Sequence, residues 1–444
     1  MTGIKGVRRD KTTMKKGQKA HFIGIGGIGI SALARLAAYE GYIVSGSDIE
    51  HTPLIAKLVE EGVKVNIPHS ARAITDQDMV IHSAIIKKDN EEIVEAKRRG
   101  IPTLCRKEAL KCFLADREVF SVAGAHGKST TTAILSVILE SSALIGAESK
   151  SFGSNARFTK GKTLVFEADE SDGSFLCSNP SVAIVTNAEP EHMEYYGYDL
   201  DRFHGAYMEF LSLAKTRVIN AEDEFLSAYK DEAIRLYPSE DIKNIRFTLK
   251  EGEPFTSFDL KNYGEFYVWG FGAHIALDAS LAILAANLRL PIDTIRQRLR
   301  GYRGIKKRFD VVRRTDKLVV IDDYGHHPTE IEATLQSALR YKELLGLKSV
   351  TAIWQPHKYS RTLHNIDRFE RCFNGVDRLI ILPVWAAGET PCEIDFASIF
   401  KNYNLTLAPD YQSAKTNCDL SSGLTIGFGA GDLTYQIRSV CAYD

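Results

Sequence analysis

Twice in this chain an apolar run leads directly into a glycine-rich loop and then into a segment of helical periodicity. Ala20-His21-Phe22-Ile23 runs into Gly24-Ile25-Gly26-Gly27-Ile28-Gly29, and Val119-Phe120-Ser121-Val122-Ala123 runs into Gly124-Ala125-His126-Gly127-Lys128-Ser129-Thr130. A strand that turns sharply into a helix offers the free N–H groups of the helix start to an anion. Repeated strand–helix alternation calls for parallel sheets covered by helices. The two loops differ in design. Only the second carries the Lys-Ser pair that grips a nucleoside triphosphate and its magnesium. The chain is therefore expected to bring two phosphorylated ligands together in a reaction driven by ATP.

The same alternation continues almost throughout. Strands are expected at 20–25, 42–45, 78–82 and 101–104, with helices near 29–40 and 106–114. Further strands are expected at 164–168, 181–186 and 216–220, then helices at 274–288 and 292–302. A last group of strands is expected at 317–321, 349–354, 378–383 and 424–428. The 444 residues suit about three domains at roughly 150 residues each. Their expected limits are 19–114, 115–308 and 309–444, giving an α/β fold. The formal net charge of -1 provides no broad field for nucleic acid or an anionic membrane. No apolar run reaches membrane-spanning length. Seven scattered cysteines without a CxxC pair indicate reduced thiols and a cytoplasmic setting. Residues 1–19 read as a basic, disordered tail, within which Met14 is an alternative start. Oligomeric state is not readable.

Each motif has a chemical meaning beside a plain one. Gly24, Gly26, Gly27 and Gly29 fit GxGxxG, which serves a dinucleotide, another nucleoside diphosphate, or tight packing alone. Asp48, at the end of the next strand, is placed to accept from a ribose hydroxyl. In the second loop, Val122 stands where the longer P-loop pattern has its first glycine. Gly124, Ala125, His126, Gly127 and Thr130 still supply backbone N–H groups, Lys128 a cation and Ser129 a magnesium ligand. Glu167-Ala168-Asp169-Glu170-Ser171-Asp172 follows a strand and offers hard oxygen ligands; the plain reading is a solvated acidic loop. Asn187 to His192 ends the next strand. A lone histidine is ordinarily structural, but beside the P-loop and the acidic cluster His192 is read as having a metal or phosphate role. Asp322-Asp323-Tyr324-Gly325-His326-His327 and Gln355-Pro356-His357-Lys358-Tyr359-Ser360-Arg361 end two later strands. They gather groups able to bind a carboxylate or stabilise phosphoryl charge.

In order along the chain, HFIGIGGIGISALA, GSD at Gly46 to Asp48, SAI at Ser83 to Ile85, AGAHGKSTTT, EADESDGSFL, EPEHMEYY, KKRFD, DDYGHHPTE, QPHKYSRT, AAGE and GAGD resemble the Mur ligases. The nearest branch is the one that adds L-alanine. The resemblance implies a Rossmann-like domain for the sugar nucleotide, a P-loop ATPase-like central domain and a Rossmann-like carboxy-terminal domain that helps bind the amino acid. It implies that ATP phosphorylates the lactyl carboxylate of UDP-N-acetylmuramate and that the amine of L-alanine attacks the acyl phosphate, in peptidoglycan precursor synthesis. Gly24, Gly26, Gly27, Gly29, Asp48 and Ser83 would serve the UDP-sugar. Lys128 would face the transferring phosphoryl group. Ser129 and Glu167 would hold one magnesium and His192 a second. Asp322 or Asp323 would lie near the ATP ribose, with His326, His357 and Arg361 at the reacting centre and Arg361 on the alanine carboxylate.

Three departures stand out. Ile275 and Asp278 occupy positions where family asparagines contact adenine, Lys358 replaces an arginine, and Phe203 to Glu209 holds no lysine for carbamylation. Three other readings are a ligase that recycles whole peptides onto the same sugar, a nicotinamide-dependent oxidoreductase and a non-catalytic sensor of the sugar nucleotide. The oxidoreductase leaves Lys128-Ser129 without a role.

Overall fold

A computed structural model describes residues 16–443; Met14 and most of the expected tail lie outside the described residues. The chain divides into two compact units. The first comprises Met1–Thr132, Glu140–Ala147 and Ser154–Arg235, and the second Ala133–Leu139, Glu148–Gly153 and Leu236–Asp444.

In the first unit, five strands lie in the order Lys64–Asn66, Ile43–Ser47, Lys19–Ile23, Met79–His82, Thr103–Cys105, all parallel. Chain order reverses beside Lys19–Ile23, which makes the turn leaving it a topological switch point. The helix Ile28–Tyr39 presents Ile30, Leu33, Ala34, Leu36 and Ala37 to the core. Its small residues allow close packing on the sheet. Each buried large side chain such as Phe22 or Leu33 contributes about 1.5–3 kcal/mol.

A second sheet runs Ile234–Leu236, Thr216–Asn220, Pro180–Val185, Glu118–Ala123, Thr163–Glu167, Ser142–Ser149, Ser154–Arg157. Its central strands are parallel. The expected strands and helices are present, with ends shifted by up to three residues.

The second unit departs from an all-parallel plan. Ile242–Lys250, Glu253–Leu260 and Glu265–Trp269 form an antiparallel sheet in a region with no expected strand. Glu251 and Gly252, both at positive φ, close a two-residue hairpin between Lys250 and Glu253, as such tight turns require. The remaining sheet has the order Asp310–Arg314, Leu318–Asp323, Gly423–Phe428, Val350–Trp354, Arg378–Ile381, Leu405–Leu407. It is parallel except for the antiparallel edge strand Asp310–Arg314. Among the described residues no helix is long and apolar enough to cross a membrane.

Candidate active site

Parallel register brings the first group of predicted residues to one sheet edge. Ile23 stands beside Ser47 and His82, so Gly24, Asp48 and Ser83 leave the sheet side by side. Gly24, at φ +76, turns the chain, and the N–H groups of Gly24 and Ile25 donate to Ser47 O at 2.9 and 3.0 Å. A β-carbon on Gly24 would meet Ser83 Cβ at 3.2 Å. Gly27 caps the helix Ile28–Tyr39 without a side-chain bond, which leaves the first-turn amides free for an anion.

Asp48 spends its Oδ2 on the Gly26 amide at 2.7 Å and its Oδ1 on the Ile49 amide at 2.7 Å. It fixes the loop from within. Arg106, which the motif reading left out, packs on Gly29: a β-carbon there would lie 2.9 Å from its Nε. That buried Nε has no partner, while Nη1 donates to Ser174 Oγ at 3.1 Å. Nothing in the sequence near Arg106 signals this, because the contact spans distant segments.

The second loop leaves its sheet in the same manner. Val122 pairs with Glu167 and Ala123 with Val185, so the P-loop, the acidic segment and the segment to His192 share one edge. Gly124 has φ +141, and a β-carbon there would collide with Thr186 Oγ1 at 2.0 Å. The loop is pinned further where Asn187 Oδ1 accepts from the His126 amide at 3.2 Å and Asn187 Nδ2 donates to His126 O at 3.0 Å. Lys128, Ser129 and Thr130 open the helix Lys128–Leu139.

Lys128 Nζ donates to the Gly124 and Ala125 carbonyls and to Glu170 Oε1 at 3.0 Å. Ser129 Oγ donates to Glu167 Oε1 at 2.9 Å, and the Gly146 amide to Glu167 Oε2 at 2.7 Å. Burial alone would depress Lys128, but Glu170, Glu167 and Asp169 outweigh it and raise its pKa above the ordinary lysine value. Burial raises the pKa of Glu167 and Glu170 despite the lysine. Three carboxylates thus face one ammonium in a desolvated place, and Glu170 Oε2 lacks a partner.

A second cation fits this surplus of hard oxygen donors. His192, held at φ +52, joins Glu170 and Glu191 with ligand atoms within 4.8 Å of one another. Glu170 and Glu191 were visible in the acidic and EPEH motifs, but only the fold shows that they share a site.

In the second unit, Asp323 stands beside Phe428, and Phe428 beside Trp354. This brings the Asp-Asp and QPHK segments to one edge. Asp322 is taken up by Thr434 Oγ1 at 2.6 Å and by Arg438 Nε and Nη2 at 3.0 and 2.8 Å. Asp323 accepts from the Phe309 and Gly325 amides at 2.6 and 2.8 Å; burial pushes its pKa up to about 6, against the pull of Arg308. Both aspartates therefore hold loops together.

His326 and His357 lie with ring centroids 5.9 Å apart. Burial lowers both to about 4, helped by Arg361, so both are neutral at pH 7. Arg361 Nη1 is 3.4 Å from His357 Nδ1. Lys358 adopts φ +66, a conformation costly for a side-chain-bearing residue. It is fixed by its amide on Trp385 O at 2.8 Å. Glu389 anchors the same segment through the Ser360 amide and hydroxyl. Asp278 is buried within the helix Ala273–Ala286, and Ile275 packs on Gly270.

Three family profiles match the chain in succession: Mur ligase family, catalytic domain, over residues 19–118; Mur ligase middle domain, over 122–268; and Mur ligase, glutamate ligase domain, over 307–420. The UDP-N-acetylmuramate–L-alanine ligase of Campylobacter curvus is 53% identical over 431 residues, covering 95% of this chain and 99% of that one. The enzyme of the same name from Helicobacter pylori is 53% identical over 433 residues, covering 95% and 96%. Among solved structures, the UDP-N-acetylmuramate-alanine ligase MurC of Thermotoga maritima superposes with a TM-score of 0.82 at 29% identity, covering 96% and 99%. A murein peptide ligase from Psychrobacter arcticus, at 21% identity and a TM-score of 0.65, shares the fold.

Proposed function

The chain belongs to the Mur ligase family, and from that premise we infer that it joins L-alanine to the lactyl carboxylate of UDP-N-acetylmuramate in peptidoglycan precursor synthesis. The identity to ligases of that name over nearly the whole chain supports the substrate pair. The observation that carries the ATP chemistry is the buried arrangement of Lys128 among Glu167, Asp169 and Glu170. The division of labour we propose follows three domains, 19–114, 115–308 and 309–444, and we assign the reaction to the cytoplasm.

In this reading the glycine loop Gly24–Gly29 and the free first-turn amides hold the diphosphate of the sugar nucleotide, with Arg106 and Ser83 beside them. The amides of Gly124 to Thr130 cradle the ATP phosphates. Lys128 leaves its two carbonyl partners to meet the γ-phosphoryl oxygens, where its charge stabilises the loose transition state. Ser129 and Glu167 would hold one magnesium, and Glu170, Glu191 and His192 a second. When bound, these ions offset repulsion between the nucleotide and the lactyl carboxylate. That carboxylate attacks the γ-phosphorus and ADP leaves. The amine of alanine then adds to the acyl carbon, and phosphate departs from the tetrahedral intermediate.

On the helix Tyr359–His364, Arg361 pairs with the alanine carboxylate through its planar fork. The neutral rings of His326 and His357 offer hydrogen bonds without added charge. No nucleophilic side chain is required, so catalysis rests on positioning and charge.

Phosphate release from ATP with magnesium and UDP-N-acetylmuramate, measured with and without L-alanine, tests the proposal. Strong release only with both substrates is expected. Release indifferent to alanine would require another amine, and no release would overturn the ligase reading.

A further inference from the structure

A cavity of about 400 Å³ opens on the first unit, away from the glycine loops. Tyr39 and Glu40, at the C-terminal end of the helix Ile28–Tyr39, form one wall. The turn Thr159 to Lys162, which leads into the strand Thr163–Glu167, forms another. Arg117 lies just before the strand Glu118–Ala123. The cavity thus sits where these strands begin, about 17–20 Å along the sheet from the loops where they end.

Two residues of its lining carry groups that the protein does not satisfy. Tyr42 is 7% exposed and the Arg117 side chain 10%. The Tyr42 hydroxyl and Arg117 Nη1 are both buried without a hydrogen-bond partner. Arg117 Nη2 is engaged by Glu40. Burial, with the charge of Glu40, holds the Tyr42 pKa above the usual phenol value, so the hydroxyl remains a donor. An unpaired buried donor is costly, a penalty an incoming acceptor relieves.

Lys16, Lys160 and Lys162 also line the cavity. The Lys16 stem lies across Gly41, where a β-carbon would meet its Cγ at 3.2 Å. With Arg117 they set four cations against the two carboxylates of Glu40 and Asp116. A larger groove of about 780 Å³ on the first sheet carries no such signal, because Ser47, His69 and Glu92 beside it bond to one another.

We propose that the 400 Å³ cavity binds a small phosphate-bearing anion, whose oxygens accept from Tyr42 and Arg117 while the lysines balance its charge. The bound anion would fasten the end of the helix Ile28–Tyr39 to the turn Thr159 to Lys162.

The test is calorimetric titration of magnesium-free pyrophosphate into the full chain, its Lys160→Ala/Lys162→Ala variant and Tyr42→Phe. Wild type should show two classes of site, one made up of the phosphate cradles at the P-loop and the Gly24 loop and a second at this cavity. The double variant should lose the second class at least tenfold in affinity, with an unchanged melting temperature and unchanged turnover in the absence of pyrophosphate. Tyr42→Phe should weaken that class at least fivefold and leave the first class alone. A single class in all three chains, or two classes untouched by either variant, would overturn the site. Citrate binding as tightly as pyrophosphate would overturn the assignment to phosphate.

Discussion

Lys128 is one ammonium among three carboxylates, bonded to the carbonyls that a bound phosphate would displace it from. Replacing it by alanine removes the cation and leaves Glu167 and Glu170 buried without their nearest counter-charge. Lys128→Ala should lower turnover by about 10³-fold or more, corresponding to roughly 4 kcal/mol of transition-state stabilisation. Equilibrium dialysis with UDP-N-acetylmuramate should show binding within about twofold of wild type, since the Gly24 loop is untouched. Near-normal turnover would sink the assignment. Arg361 poses a different question, because its guanidinium carries the acceptor side of the reaction. Arg361→Ala should raise the KM for L-alanine about 100-fold, equivalent to roughly 3 kcal/mol for a lost charge-assisted pair, with the KM for ATP changed by less than about threefold. Equal effects on both substrates would remove Arg361 from the alanine site.

The elements explain why some of this was readable in advance. A parallel strand followed by a glycine turn announces itself, because apolar residues end abruptly where the backbone needs positive φ. Gly124 is the sharpest instance: its φ of +141 and the 2.0 Å approach of Thr186 Oγ1 leave no room for a side chain. Gly124→Ala should destabilise the first unit by about 2 kcal/mol or more and weaken ATP binding by at least tenfold. Thermal unfolding followed by circular dichroism and nucleotide titration check this, and an unaltered melting temperature would contradict the collision.

The antiparallel sheet was not readable in this way. Lys243, Asn244 and Arg246 leave much of Ile242–Lys250 exposed, which erases the apolar alternation that marks a strand. Partnerships across the chain were equally hidden. Arg106 gains its meaning from Gly29 and Ser174, and Asp48 and Asp322 turn inward to hold loops. Motif spacing names residue types at a sheet edge, whereas the partner each side chain takes depends on segments far away in sequence.

At the scale of the whole molecule, each unit has its own buried core, and the sequence's three tryptophans, Trp269, Trp354 and Trp385, all fall in the second unit. Tryptophan fluorescence therefore reports the unit that also holds His326, His357 and Asp323. Burial depresses both histidines from 6.5 to about 4. Their contribution to stability is complete above pH 6.5 and is lost as pH falls through 4. Asp323 works the other way: raised from 3.8 to about 6, it favours the folded state below pH 3.8 and ceases to do so as pH rises through 6. His274 is lowered to about 4 as well, but it is exposed and its share is discounted for solvent screening.

The histidines outweigh the single aspartate, so the denaturant midpoint seen by fluorescence should fall as pH drops from 6.5 to 4. His326 contributes on the order of 3 kcal/mol, and the half-buried His357 less. The variant His326→Gln/His357→Gln keeps polar side chains but cannot take up the proton. Its midpoint should change less than half as much over the same range. A slope as steep as wild type would show that the acid sensitivity of this unit arises elsewhere than in the pair of rings facing Arg361.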